Sequence, residues 1–198
     1  MPYAVREPDV GRNLPHAEHL ELAAKHKQND LARERLRDET GRMEGGGPTA
    51  IALVYPSPYH VAMSSLGFQT IYRSIQASGR FSCERFFAPD VLPAWNDAAQ
   101  LVSYESAQAL SAFPVIAFSV AYELEIAGFL TILQGARIAL RREDRSSDDP
   151  IVVVGGPLTF SNPLPFAPFA DVIVMGEADS LIHDVLDIAL ADDSRQAR

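Results

Sequence analysis

Ile51-Ala52-Leu53-Val54-Tyr55-Pro56 is the stretch whose reading decides the fold. Its apolar run is too short for an amphipathic helix and lacks the alternation of a half-exposed strand, so it fits a strand buried on both faces. Working outward, Leu66 to Ala77 has Phe68, Ile71, Tyr72 and Ile75 at helical spacing, with Gly79 as a stop. A second strand is predicted over Cys83 to Ala88, and Ala98 to Leu110 reads as broken or partly helical. Val115 to Ser119 is the third strand, Glu123 to Leu140 a long helix, and Ile151 to Val154 the fourth strand. Val172 to Met175 is the fifth, followed by a helix from Ser180 to Leu190. Helical crossovers of this length force parallel pairing.

The expected fold is therefore α/β, a flavodoxin-like, doubly wound sheet of five parallel strands with an N-terminal helical extension. Residues 1–47 read as an arm and helix, 48–192 as the α/β domain and 193–198 as a tail. Within the first unit, His16 to Arg42 carries a thin apolar stripe of Leu20, Ala23, Ala24, Leu31 and Leu36, which suits light packing on another domain or subunit. Gly45-Gly46-Gly47-Pro48 ends it.

Composition excludes several function classes. Hydrophobic residues are 47% of the chain and charged residues 22%, ordinary for a globular protein. The net charge of −9 is uneven: residues 1–47 hold 8 Lys+Arg against 9 Asp+Glu, the remainder 9 against 17. The acidic body repels phosphate backbones, so it is not expected to bind nucleic acid. Cys83 is the lone cysteine, which rules out an internal disulfide, a zinc site of several thiolates and a cysteine-ligated cluster within this chain. A single thiol suits a reducing compartment. Neither a signal-peptide run nor a membrane-length apolar stretch occurs, and the expectation is a cytoplasmic protein without membrane contact.

Doubly wound sheets bind ligands in the crevice outside the carboxyl ends of their strands. After the first strand come Ser57, Tyr59, His60, Ser64 and Ser65. Ser64 or Ser65 can cap the next helix, whose positive end favours an anionic or strongly polar group. Tyr59 suits packing as well as binding, and His60 suits a polar loop position as well as ligation. After the third strand, Ser119 and its small neighbours leave room for a flat ligand or for a tightly packed helix start. Gly155-Gly156-Pro157 implies either positive φ or an object that a side chain would obstruct. Thr159 follows with hydrogen-bonding capacity. Gly176-Glu177 closes the last strand, where an acid either caps the helix or receives a donor from a ligand. The G-x-G-x-x-G and G-K-[ST] spacings are absent. No catalytic set of Ser-His-Asp, Cys-His or paired carboxylates assembles, so the chain holds no complete active site.

The segment from Tyr55-Pro56 through Tyr59, Met63-Ser64, Leu66-Gly67 and Tyr72 resembles the opening of the cobalamin-binding-type domain that precedes many radical S-adenosylmethionine (SAM) domains. It is most similar to a subfamily beginning YPxxYxxxMSxLGxxxxY. Ser103-Tyr104-Glu105-Ser106, Ile116-Ala117-Phe118-Ser119 with Tyr122-Glu123-Leu124, Val154-Gly155-Gly156-Pro157 with Asn162-Pro163, and Val174-Met175-Gly176-Glu177 follow in order. The resemblance covers residues 49–190 and implies a Rossmann-like cofactor-binding domain. Two departures stand out. Asp-x-His-x-x-Gly is absent, since Pro58 and Met63 flank His60 at the relevant spacings. The CxxxCxxC that holds the 4Fe-4S cluster and SAM is also absent, which assigns both to a missing or partner domain, in cis or in trans.

The resemblance thus implies an accessory domain, not catalytic alone, in which Ser57, Tyr59, His60, Ser64, Ser119, Gly155, Gly156, Thr159, Gly176 and Glu177 line a crevice for cobalamin. The alternative keeps the fold without the cofactor, as a docking module contacting a partner through the 16–42 helix. Inward-pointing Tyr59, Met63, Phe160 and Phe166 would favour it. A flavin carrier or phospho-receiver fits less well, because the first loop lacks a phosphate cradle and the first strand ends without acids.

Overall fold

A computed structural model of the chain describes residues 27–43, 45–90 and 101–191. The N-terminal arm, the start of the predicted first helix, the beginning of the 98–110 stretch and the tail lie outside these. A helix covers 27–38 (α1). There follow β1 (Thr49–Tyr55), a short α2 (Tyr59–Ala62), α3 (Leu66–Ala77), β2 (Phe81–Phe87), β3 (Val115–Ser119), α4 (Glu125–Gly135), β4 (Ile151–Gly155), a short α5 (Pro157–Ser161), β5 (Val172–Ile173) and α6 (Ile182–Leu190).

The strands form one sheet in the order β2-β1-β3-β4-β5, every pair parallel. This is the flavodoxin-like doubly wound arrangement expected from the sequence. Its physical basis is visible in β1, where each residue from Ile51 to Tyr55 is at most 3% exposed. Ile51, Leu53 and Tyr55 join one core with Phe68, Tyr72 and Ile75 of α3 and Leu186 of α6. Ala52 and Val54 join the other, with Phe129, Ile132 and Leu133 of α4. Two-sided burial is why the run shows no alternation.

Element boundaries moved where local geometry intervened. The helix predicted to reach Leu140 ends at Gly135 because Arg137 turns left-handed, with φ of 59°. The N–H of Ile138 then returns to the Leu133 carbonyl at 3.0 Å, which satisfies an end carbonyl of the helix. β5 keeps only Val172–Ile173 in strand geometry. The 101–112 stretch holds an antiparallel bridge between Val102 and Ala109 and a single turn over Leu110–Ala112.

β2 is an edge strand, and exposed edges invite unwanted pairing. Here the edge is capped by side chains. The Gln76 amide of α3 accepts from the Cys83 N–H at 3.0 Å and donates to the Cys83 carbonyl at 3.2 Å. The Glu105 carboxylate accepts from the Arg85 N–H at 2.6 Å, and the Tyr104 N–H donates to the Arg85 carbonyl at 3.0 Å.

Candidate functional site: a closed switch point and an apolar rim

Strand order reverses between β1 and β3, so the loops after these strands flank the place where this architecture offers a crevice. In this protein the two loops are joined by the chain's own groups. Glu125, 2% exposed in the first turn of α4, accepts from the Ser57 hydroxyl at 2.9 Å and from the Ala121 N–H at 2.6 Å. The Tyr122 hydroxyl lies 3.4 Å from Ser57 Oγ. Burial and the nearby Glu125 charge push the Tyr55 phenol up to about 12. α4 also rests on the first loop, because a Cβ at Gly128 would stand 2.3 Å from the Pro56 carbonyl oxygen.

The glycine pair after β4 has two different reasons. Gly156 has φ of 106°, and an added Cβ would meet the Val120 carbonyl oxygen at 2.5 Å. The object obstructing a side chain there is the protein's own backbone. Gly155 is unlike it: an added Cβ would sit 3.6 Å from Val174, an ordinary contact. Thr159 is fully buried, with its hydroxyl 2.9 Å from the Gly156 carbonyl and 2.6 Å from that of Val174. Its single hydrogen is consumed between them.

The remaining residues singled out by sequence are spread along the rim. The Tyr59 ring stacks on Tyr104 at 5.4 Å and meets Phe87 edge-on at 5.2 Å. His60 is exposed beside Asp90, at 3.9 Å. Ser64 donates to the Val61 carbonyl, and Ser65 is the residue that caps α3, accepting from the Phe68 N–H at 3.4 Å. Ser119 is half-buried at the end of β3 and Glu177 is exposed. Gly176 has φ of 129° and nothing within 4 Å of the place a Cβ would take. Of the bulky residues that would fill a crevice, Phe166 is buried against Phe129, whereas Phe160 is 75% exposed.

Sequence reasoning missed the groups that organise this end of the molecule. Glu125 reads as a helix-dipole acid, and Gly128 as a tolerated helix glycine. Arg85 sits inside Phe81-Ser82-Cys83-Glu84-Arg85-Phe86-Phe87, where charges in an otherwise apolar run signal an edge strand. Yet its side chain is 1% exposed, paired with Glu39 and Glu105 at 2.6 and 2.7 Å. Glu39 follows α1, whose Ala32 and Leu36 are buried and whose Arg35 donates to the Tyr104 hydroxyl at 2.6 Å.

Cys83 is fully buried on β2, and burial pushes its thiol well above the usual range, so it is no ligand for a cluster. Among the described residues no group of three His, Cys, Asp or Glu side chains stands close enough to hold a metal ion, and no helix is long and apolar enough to cross a membrane.

A five-stranded parallel sheet covered by helices, with its crossing bridged by its own acid, defines a doubly wound α/β domain. The family model for radical SAM proteins, N-terminal, matches residues 67–198, two thirds of the chain. The chain belongs to that family and is an accessory domain of the radical SAM class, in which SAM and a 4Fe-4S cluster are the family's reagents. Ser119, Gly155, Gly156, Thr159, Gly176 and Glu177 lie within the match, while Ser57, Tyr59, His60 and Ser64 precede it. No curated protein and no solved structure matches the chain.

Proposed function

We propose that this domain is the platform on which the cluster-bearing part of a radical SAM protein docks, through the carboxyl rim of the sheet. The observation that carries this reading is a set of large apolar side chains left in solvent at that rim. Leu66 (79% exposed) and Leu124 (82%) stand at the starts of α3 and α4, Phe160 (75%) in the short α5 that follows β4, and Met175 (63%) in the turn after β5. Single exposed apolar residues are ordinary, but a group on one end of a fold marks an interaction surface. The occupant we assign is the SAM- and cluster-holding domain, in cis or in trans, because the family is defined as the N-terminal part of such proteins. The test is to titrate the reconstituted CxxxCxxC polypeptide, encoded in frame or in the neighbouring gene, with the chain carrying Leu124→Glu and Phe160→Glu. Two buried charges in the contact should weaken binding by about tenfold or more. Unchanged affinity sinks the reading.

A second reading keeps cobalamin as a guest of the same rim. The bridged crossing does not fit an inserted nucleotide tail, since Ser57, Glu125 and Thr159 have satisfied one another or the backbone. A macrocycle lying across the rim fits better: a Cβ at Gly176 would meet nothing within 4 Å, beside the exposed Glu177. Incubation with hydroxocobalamin, desalting and a visible spectrum decide it. On this reading corrinoid is retained, and Gly176→Phe releases it; a colourless wild-type chain removes cobalamin from the account.

A further inference from the structure

A buried ionic cluster lies away from the crossing, on the outer edge of β2. We propose that Arg85, with Tyr59 and Tyr72, forms a carboxylate-receiving site that the segment after α1 fills with its own Glu39, making that segment a displaceable strap over a site for an external carboxylate.

The receptor is complete on the α/β body. Arg85 presents Nη1 and Nη2 to the two oxygens of Glu39 at 2.6 and 3.0 Å. This two-pronged fork matches the plane of a carboxylate. The Tyr59 hydroxyl adds a longer donor to Glu39 Oε2 at 3.5 Å. The guanidinium lies over the Tyr72 ring at 4.3 Å and within 3.7 Å of the Met63 sulfur, which hold it flat. None of these four residues belongs to the strap.

Two carboxylates serve this one guanidinium, and they are not equivalent. Glu105 takes Arg85 Nε at 2.7 Å and also the Arg85 backbone N–H at 2.6 Å, while the adjacent Tyr104 N–H bonds the Arg85 carbonyl. Glu105 is thus woven into the sheet edge and already neutralises the buried cation. If Glu39 leaves, Glu105 still balances the charge, and the cost is confined to the two Nη donors that lose their acceptor. Glu39 is the member that can leave.

The seam also has an opening. A cleft of about 30 Å³ lies between Glu39, Thr40 and Gly41 on the strap and Met63, Gln69 and Arg73 on the body. It admits water to the seam beside Glu39, the point from which displacement starts. The strap competes at an effective concentration on the order of millimolar, so an external carboxylate needs either more than that concentration or further contacts of its own.

Acetate is the simplest probe, used on the full chain. In Glu39→Ala the fork is vacated; the melting temperature falls by about 5 °C, and acetate restores it saturably where chloride of equal ionic strength does not. In Glu39→Gln the amide still fills the site, and acetate has no such effect. In the wild-type chain, amide exchange across 27–43 speeds about threefold in acetate over chloride as the strap is displaced. This last measurement decides alone if Glu39→Ala does not fold. Equal behaviour in acetate and chloride, for the variant and for wild-type exchange, overturns the proposal.

Discussion

At the centre of the sheet, Glu125 is held by a hydroxyl at 2.9 Å and a backbone N–H at 2.6 Å; at the β2 edge, Glu39 and Glu105 share the guanidinium of Arg85. Both arrangements bury acids, with different consequences. The central acid uses neutral donors supplied by the exits of β1 and β3, the loops it has to join. Its partners are obligatory parts of the crossing, so the centre is locked. The edge acids instead share a cation on β2, 46 and 20 residues away in sequence. Such a seam carries more electrostatic energy and can also come apart.

The largest effect should come from breaking the seam at its cation. Arg85→Leu leaves Glu105, held at the sheet edge, without its counter-charge and should cost about 3–5 kcal/mol in denaturant unfolding. Glu125→Ala breaks the centre instead. It orphans the Ser57 hydroxyl and the Ala121 N–H, and a loss of about 1–3 kcal/mol is expected in the same assay. The reverse ranking would mean that the centre, not the edge, carries the greater electrostatic load.

A smaller effect sharpens the contrast through alkaline pH. The Tyr55 phenol, raised to about 12 by burial and by Glu125, keeps its proton in the folded chain while the unfolded chain loses it near 10. The unfolded state therefore binds fewer protons over this interval, so stability is full below pH 10 and falls towards pH 12. By pH 11 the loss from this group is about 1.4 kcal/mol. Tyr55→Phe should flatten the stability–pH curve by about 1 kcal/mol between pH 10 and 11. An unchanged slope would show that burial does not hold the proton on Tyr55.

Much of the fold was legible because burial on two faces leaves a mark that one residue at a time can carry. The runs at Ile51–Tyr55, Val115–Ser119 and Ile151–Val154 became strands, and Leu66–Ala77 became a helix with the residues expected. β5 and the end of α4 were less legible because backbone geometry, such as the left-handed Arg137, ended them before the apolar pattern did. The candidate site was legible in position only. Gly156 was read as making room or turning the chain; it does both, and the room is taken by Val120.

Strand positions and pairing direction follow from the sequence, because hydrophobic periodicity and crossover length are local properties. What occupies the carboxyl rim does not follow, because hydroxyls and glycines look alike whether a guest or the chain itself answers them. Only the tertiary structure brought Glu125 to Ser57, Val120 to Gly156 and Glu39 to Arg85. Those meetings join residues far apart in the chain, and short-range pattern holds no record of them.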